Sequence, residues 1–434
     1  MGRGIFEKLI NGLEAQGEKL PDSRNTGHNF RYRLSDVLKC AFGVFFFQHS
    51  SMLEFQRKMQ EKRQRNNMQS IFGVKEIPSD TQIKTLLDRI EPDQFGEVFN
   101  ESLKTAEEKK LLEEYRVLDG GVLLALDGVW YHSSEKIHCK HCLHKTAIQR
   151  DGEEVTTYYH TMLAGTLVKP GETAVLPVMG EPIRNEDGQG KQDCELNAAK
   201  RWIKKHGQEY KWLKPTLLGD DLFSNYPMCK AVVEAGLSFI FTCKPQSHPW
   251  ITETVENSYL EEKTRREWNG RHHLAYRYRW LNGIEIRDNR ETLKINYVYL
   301  EIENEKKKKI TYRNSWITNK TVTEDNAVQI TSCGRSRWKI ENEHNNVLKN
   351  HGYNLEHNFG HGESHASEIY CLLNLLAFLY HGILGLSDEE YQKARAASGR
   401  RTEFFNYLRS AFRWKYHETW RDFITFVRTG EPEE

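Results

Sequence analysis

Two short apolar runs that each end in an aspartate constrain the fold of this chain most. Residues 122–126 read Val-Leu-Leu-Ala-Leu and are followed by Asp127, and residues 216–219 read Thr-Leu-Leu-Gly and are followed by Asp220. A continuous apolar run of this length is typical of a strand buried on both faces. Such strands belong to a sheet covered by helices. The two runs therefore predict an α/β fold with a carboxylate at the carboxyl end of each strand.

The rest of the chain divides by its pattern of apolar residues. Helical spacing predicts a basic amphipathic helix over 195–206 and another helix over 226–235, and short apolar runs predict strands over 156–167, 173–178 and 237–243. The expected organisation is a helical, DNA-binding region at 1–118, a catalytic core at 119–245 and 311–385, a β-rich insertion at 246–310, and a helical region at 386–434, with single helices over 367–385 and 403–429.

A third carboxylate comes from the stretch 332–349. If the residues from Arg335 onward form a helix, a rotation of about 100° per residue places Glu341 one turn after Arg337, with an apolar seam beside them. The stripe is Arg337, Glu341, Asn345 and Leu348, and the seam is Ile340, His344 and Val347. The alternative is an exposed Arg/Glu pair, which would contribute only about 0.2–0.5 kcal/mol.

Asp127, Asp220 and Glu341 would meet at the carboxyl edge of the sheet. Three carboxylates held close together repel one another unless divalent cations neutralise them. Oxygen ligands favour Mg²⁺ or Mn²⁺ over zinc, and the matching chemistry is phosphoryl transfer with two metal ions. The predicted site therefore holds two Mg²⁺ (or Mn²⁺) ions and cleaves phosphodiesters. Asp221 competes with Asp220 for the second position.

Four short segments resemble the DDE transposases of bacterial insertion sequences, in the subgroup with a Tyr-x2-Arg-x3-Glu-x6-Lys signature. They are Leu-Asp-Gly at 126–128, Gly-Asp-Asp-Leu-Phe at 219–223, Trp-Ile-Thr-Asn at 316–319 and Arg-Trp-Lys-Ile-Glu at 337–341. The resemblance covers roughly residues 118–385. It implies a ribonuclease-H-like mixed sheet flanked by helices, with a β-rich insertion before the last catalytic helix.

The resemblance also implies a function. The protein would cut transposon ends and transfer them into target DNA by a cut-and-paste route, as a homodimer on DNA. Asp127, Asp220 and Glu341 would bind the metals, and Arg337 and Lys349 would bind DNA phosphates. The signature tyrosine falls at Gly334 and the signature lysine at Leu348, one residue before Lys349.

Other candidate DNA contacts lie outside the signature. Lys200 and Arg201 are on the basic helix and form a phosphate-binding face. The resemblance implies that Trp268 and Trp280 in the insertion stack on an extruded base of a distorted transposon end, the alternative being tryptophans in the core of a small β unit. The lysines of 306–309 would follow phosphates, or would form a solvated hairpin tip.

Composition limits the partners and the location. The chain has 62 Lys+Arg against 61 Asp+Glu, so a nucleic-acid surface requires local clustering of charge. No apolar run approaches the ~20 residues of a membrane span. We expect a soluble, cytoplasmic bacterial protein, associated with the nucleoid when bound to DNA. A transposase-derived DNA-binding protein without cleavage activity is the alternative function.

Residues 138–144 read His-Cys-Lys-His-Cys-Leu-His and contain the one Cys-x-x-Cys pair of the chain, Cys139 and Cys142. A structural zinc site needs four ligands, and no second Cys-x-x-Cys or His-x3-His follows nearby, although Cys229, Cys243 or Cys333 could approach in space. A polar hairpin after the first strand is the alternative interpretation, and a zinc-dependent hydrolase a third functional hypothesis. His357, His361 and His365 are separated by glycines, which predicts a loop that contacts DNA or substrate.

Overall fold

A computed structural model describes residues 4–24, 32–60, 62–150, 152–185 and 191–431. These residues form an α/β fold in which one mixed sheet of ten strands is covered by helices. The buried apolar residues of the sheet and the helices form one continuous hydrophobic core. The α/β class predicted from the two apolar runs is confirmed.

The strands account for most of residues 123–318. They are β1 Leu123–Ser134, β2 Leu143–Ile148, β3 Glu154–Val168, β4 Leu176–Ile183, β5 Thr216–Gly219, β6 Ser238–Thr242, β7 Glu261–Trp268, β8 His273–Glu285, β9 Lys294–Asn304 and β10 Lys309–Thr318.

The order of strands in the sheet is β2-β3-β1-β5-β6-β10-β9-β8-β7, with β4 also pairing with β3. β1 is antiparallel to β3 and parallel to β5, and β5 is parallel to β6. β10 then pairs antiparallel with β6 and β9. The strands of the β-rich stretch therefore extend the main sheet.

Helices occupy both ends of the chain and the connections between strands. They are α1 Ile5–Lys19, α2 Leu34–Phe46, α3 Met52–Gln60, α4 Lys62–Phe72, α5 Asp80–Leu87, α6 Gly96–Glu108, α7 Glu195–His206, α8 Tyr226–Glu234, α9 Pro249–Glu256, α10 Ala327–Arg335, α11 Asn346–Asn350, α12 Ala366–Ser387, α13 Glu389–Ala397, α14 Arg401–Trp414 and α15 Trp420–Thr429. A π-helical segment, Ile340–Asn345, precedes α11.

Two helix predictions are wrong. The helix expected from Arg335 onward is interrupted, because α10 ends at that residue and the chain turns before the π-helical segment. The single helix expected over 403–429 is two helices, α14 and α15, and Thr419 caps the second by accepting a hydrogen bond from Asp422. The helix predicted over 195–206 is confirmed as α7.

α12 is the central helix of the fold. It packs on β4 on one side and on α2 and α1 on the other. Of the described helices it is the one long and apolar enough to cross a membrane, but 83% of its most apolar window is buried inside the protein. Glu368, Asn374 and His381 lie within it and are buried. These properties are those of a core helix.

Two groups of strands extend beyond the carboxyl edge of β5 and β6. β1 pairs with β5 only through Leu123–Ala125 and continues to Ser134 beside β3. β10 pairs with β6 only through its last three residues, so its first seven residues extend about 20 Å past that edge. We call residues 130–161 the hairpin arm, and residues 262–279 with 299–315 the sheet arm.

Candidate functional site

Asp127 lies within β1, opposite Ala164 of β3. The prediction that it ends a strand is wrong, because β1 continues into the hairpin arm. It does lie two residues after Ala125, where the parallel pairing with β5 stops. One side of Asp127 therefore faces the carboxyl edge of the parallel strands, and its side chain is 20% exposed.

Asp220 follows the last residue of β5 and turns the chain away from the sheet. Its Oδ1 accepts a hydrogen bond from the Leu222 amide (2.9 Å). Gly219 allows this turn, since a Cβ there would lie 2.5 Å from Cγ of Phe223. The competing carboxylate, Asp221, accepts hydrogen bonds from the Lys244 amide (2.6 Å) and interacts with Nε2 of His248 (3.1 Å). Asp221 is thus engaged elsewhere, which favours Asp220 as the site residue.

Glu341 lies in the π-helical segment and its side chain is half-exposed. Arg337 donates a hydrogen bond to Oε1 of Glu341 and reaches within 4.0 Å of Oδ1 of Asp127. The guanidinium therefore lies between two of the three predicted acids. The seam beside this stripe is buried as expected and anchors the segment, with His344 fully buried.

Asn345 connects the π-helical segment to β1. Its Nδ2 donates to Oδ2 of Asp127 (3.0 Å), and its Oδ1 lies 2.9 Å from Nδ1 of His344. Since Oδ1 can only accept, His344 must carry its proton on Nδ1. Burial lowers the pKa of His344 to about 4, so the ring is neutral. The hydrogen-bonded pair fixes one oxygen of Asp127.

Glu195 is a site residue that the sequence analysis missed. It is the first residue of α7, and its Oε2 lies 2.9 Å from the position that a Cβ on Gly128 would occupy. Its Oε1 is buried and has no hydrogen-bond partner among the described residues. An acid in the first turn of a helix is ordinary, so its sequence position alone gave no signal.

The carboxylates influence one another's ionisation. Burial raises the pKa of Asp127 to about 6, with the charges of Glu341 and Asp220 adding to the rise and Arg337 opposing it. Burial, followed by the charges of Asp127 and Asp220, raises the pKa of Glu195 to about 7. Four carboxyl groups from four elements therefore form one electrostatic cluster.

We call this cluster the acidic site. Its donors are carboxylate oxygens, which suit Mg²⁺ and Mn²⁺. The unpartnered Oε1 of Glu195 and the raised pKa values of Glu195 and Asp127 indicate that Arg337 neutralises the site only in part. A bound cation would favour the ionised form of each acid.

The departures from the transposase signature have structural causes. A Cβ on Gly334 would lie 2.7 Å from Nε1 of Trp316, so no tyrosine fits at that position in this packing. Leu348 is fully buried in the core. Lys349 is partly exposed and pairs with Glu356 through its Nζ (2.8 Å).

Some of the basic side chains expected to form a phosphate-binding face on α7 form ion pairs with acidic residues of this chain. Arg201 donates to Glu181 (2.7 Å) and Asp193 (2.6 Å), and Lys205 pairs with Asp93 (2.7 Å). Arg201 therefore does not belong to the phosphate-binding surface that we propose below. These ion pairs also balance the acids of a second possible metal-binding group, Asp93, Glu181 and His206. Lys200 remains a candidate, on the same helix as Glu195.

Trp268 lies at the far end of the sheet arm and is 60% exposed, whereas Trp280 is buried in the core, so the stacking predicted for Trp280 is wrong. The two hairpin tips at this end are adjacent, since Asn304 donates from Nδ2 to Nε2 of His272 (2.7 Å). The second tip carries the lysines of 306–309, all of them exposed. The fold thus brings together an exposed tryptophan and a run of cations that are 38 residues apart in sequence.

A comparison of the chain with protein-family models finds no match, and a comparison with curated proteins finds none either.

Proposed function

We propose that this protein is a DDE-type DNA transposase that cleaves strands at transposon ends and joins them to target DNA. The observation that carries the proposal is the convergence of Asp127, Asp220 and Glu341, which are about a hundred residues apart in sequence, at one edge of the sheet. Arg337 donates a hydrogen bond to Glu341 and reaches within 4.0 Å of Asp127. The charges of Asp220 and Glu341 also raise the pKa of Asp127, so the three acids interact electrostatically.

The topology supports a ribonuclease-H-like core as part of this proposal. Antiparallel strands β4, β3 and β1 continue into parallel β5 and β6, and helices cover the sheet. The acids come from β1, from the turn after β5 and from the segment after α10. Crevices at the carboxyl ends of parallel strands are common positions for ligand sites in α/β sheets.

The residues of the acidic site have separable roles in the proposed reaction. Asp127, Asp220 and Glu341 would hold Mg²⁺ or Mn²⁺, with Glu195 as a fourth carboxylate. When bound, such ions activate the attacking oxygen and stabilise the leaving oxygen of a phosphodiester. Asn345 holds Asp127 in one orientation, and Arg337 is positioned to exchange a carboxylate for a DNA phosphate.

The two arms provide surfaces on either side of the acidic site. Both extend beyond the edge that carries Asp220, so a DNA strand between them would pass over the carboxylates. We propose that Trp268 and the lysines of 306–309 bind DNA, together with Lys349 and Lys200. We also propose that the helical region at 1–118 contributes to DNA binding, and that a homodimer holds two transposon ends in the bacterial cytoplasm.

The test is Mg²⁺-dependent cleavage of DNA that carries the sequences flanking the gene. We expect the wild type to nick at defined ends and Glu341→Gln to bind the same DNA without cutting it. The rate of cleavage should fall by at least about a hundredfold, as is typical when one electrostatic contributor to catalysis is removed. Product ends are mapped on sequencing gels, and binding is measured by mobility shift.

Glu343→Gln is the matched control, because it changes the same residue type two positions away in the same segment. We expect it to cut as the wild type does. Equal cutting by Glu341→Gln and the wild type would contradict the assignment of the third acid. Binding without cleavage by every protein, the wild type included, would support a transposase-derived DNA-binding protein instead.

A further inference from the structure

Four side chains with zinc-binding atoms converge in the hairpin arm, away from the acidic site. We call them the Cys/His cluster: Cys139 and Cys142 from the turn before β2, His160 from β3, and His361 from the loop before α12. One ligand atom from each lies within 4.8 Å of all the others. The loop histidine is 219 residues from Cys142 in sequence, so the fold, rather than local spacing, brings the set together.

The separations within the cluster match those around a tetrahedral zinc ion. With Zn–S near 2.3 Å and Zn–N near 2.0–2.1 Å, a tetrahedron places two sulfurs about 3.8 Å apart and a sulfur and a nitrogen about 3.5 Å apart. The two Sγ atoms are 3.9 Å apart. Nε2 of His160 is 3.3 Å from each Sγ, and Nε2 of His361 is 3.4 Å from Sγ of Cys142.

The cysteines of the cluster have the surroundings of metal ligands, rather than those of a disulfide bond or of exposed thiols. The cysteines are free thiols, with sulfurs far beyond the ~2.05 Å of a disulfide bond. Cys142, His160 and His361 are each at most 9% exposed. The Cys139 amide donates to Sγ of Cys142 (3.3 Å), a hydrogen bond of the kind that supports a thiolate ligand.

We propose that the Cys/His cluster binds one structural Zn²⁺ ion per chain. Four protein ligands fill a tetrahedral shell, which leaves no position for substrate and distinguishes this site from a catalytic zinc site. The ion would join the hairpin arm to the loop before α12. His160 is four residues from Ala164, the partner of Asp127, so the zinc lies on the order of 13 Å along the sheet from the acidic site.

The first test is the metal content of the full-length protein, purified under reducing conditions without chelator and measured by mass spectrometry. We expect one equivalent of zinc in the wild type, and its loss in Cys142→Ser and in His361→Gln. These variants remove ligands from different elements, so loss in both is not explained by misfolding of one hairpin. Wild-type protein that contains no zinc and takes up none when Zn²⁺ is added would overturn the proposal.

His144→Gln is the matched control. His144 belongs to the same run of Cys and His residues, but its ring lies outside the cluster, and only its backbone bonds to Gln192. We expect this variant to keep its zinc. Zinc content that falls in His144→Gln as much as in His361→Gln would contradict the proposed ligand set.

Cobalt substitution gives a readout that is independent of stability. Wild-type protein loaded with Co²⁺ should show the thiolate-to-cobalt charge-transfer and strong d–d absorption of a tetrahedral S₂N₂ site. Cys139→Ser should lose the charge-transfer intensity of one thiolate, with the d–d bands changed. A weak octahedral spectrum in the wild type would contradict the assignment.

Discussion

Glu195 is a residue of the acidic site whose ionisation the folded protein opposes. Its pKa rises to about 7 because the carboxyl group is buried beside two other acids. Burial and the charges of neighbouring acids also raise the pKa of Asp127, to about 6. A carboxyl group with a raised pKa binds its proton more tightly in the folded state. Its ionisation therefore destabilises the protein as the pH rises from about 4 through that pKa.

We predict that Glu195→Gln stabilises the metal-free protein at pH 8 and has little effect at pH 5. At pH 5 the wild-type carboxyl of the folded protein is already neutral, like glutamine. At pH 8 it is ionised, and the rise of its pKa from 4.5 to about 7 corresponds to about 3 kcal/mol. Thermal unfolding in EDTA at both pH values measures the difference. In excess Mg²⁺ the wild type should be the more stable of the two proteins, because its Glu195 carboxylate is then an additional metal ligand.

The comparison must be made between variant and wild type at each pH. Buried histidines change the stability with pH in the opposite direction. Burial lowers the pKa of residues such as His344 and His381, so they contribute less to the stability of the protein as the pH falls. Glu256→Gln, an exposed carboxyl at the end of α9, is the control and should match the wild type throughout. A stabilisation by Glu195→Gln that is equal at pH 5 and pH 8 would contradict the assignment.

At the level of elements, α10 is positioned by the contact between Gly334 and Trp316. Since a Cβ would come within 2.7 Å of the indole nitrogen, Gly334→Ala should force the helix away from β10. We predict a loss of about 1–3 kcal/mol of stability, as in other overpacked cores. Chemical denaturation monitored by tryptophan fluorescence measures this.

Gly12→Ala is the matched control for that substitution. Gly12 is in the interior of α1, and nothing lies within 4 Å of its Cβ position. Alanine there should stabilise the protein by roughly 0.5–1 kcal/mol, because it restricts the unfolded chain more than glycine does. If both substitutions changed the free energy of unfolding in the same direction, the close contact in α10 would not be the reason for the glycine at position 334.

The elements also show which features the sequence could predict. α7, β5 and β6 follow from apolar spacing, because each is a regular element between clear breaks. The break after Arg335 and the π-helical segment do not, since their hydrogen bonding follows from packing against β1 and β3. Similarly, the sequence did not indicate Glu195 or His160, and it predicted His361 in a loop that contacts DNA rather than in a ligand set. Their neighbours are distant in sequence and come together only in the folded chain.

At the level of the whole molecule, the sheet arm extends from the same edge as the acidic site. We predict that Trp268→Ala weakens the binding of DNA by about 1–3 kcal/mol, the range for an aromatic ring that stacks on a base. Fluorescence anisotropy with labelled transposon-end DNA measures the change in affinity.

Trp414→Ala is the control for this loss of an exposed tryptophan. Trp414 is 63% exposed, close to the 60% of Trp268, and it is on α14 in the helical part of the molecule. Because α14 packs on α4 of the helical region, which we propose also binds DNA, the removal of Trp414 should reduce the affinity for DNA less than Trp268→Ala does. Equal affinities for wild type and Trp268→Ala would exclude the end of the sheet arm from the DNA-binding surface.

The position of α12 in the sequence has a consequence for folding during synthesis. α1 and α2 pack on α12, and Phe6 of α1 stacks on Trp420 of α15 (3.9 Å). A ribosome completes more than three hundred residues between α2 and α12. During that time α1 and α2 can pack on each other and on α5 and α6, but their surfaces that contact α12 and α15 have no native partner. Chaperones that bind nascent chains would therefore cover those surfaces for longest.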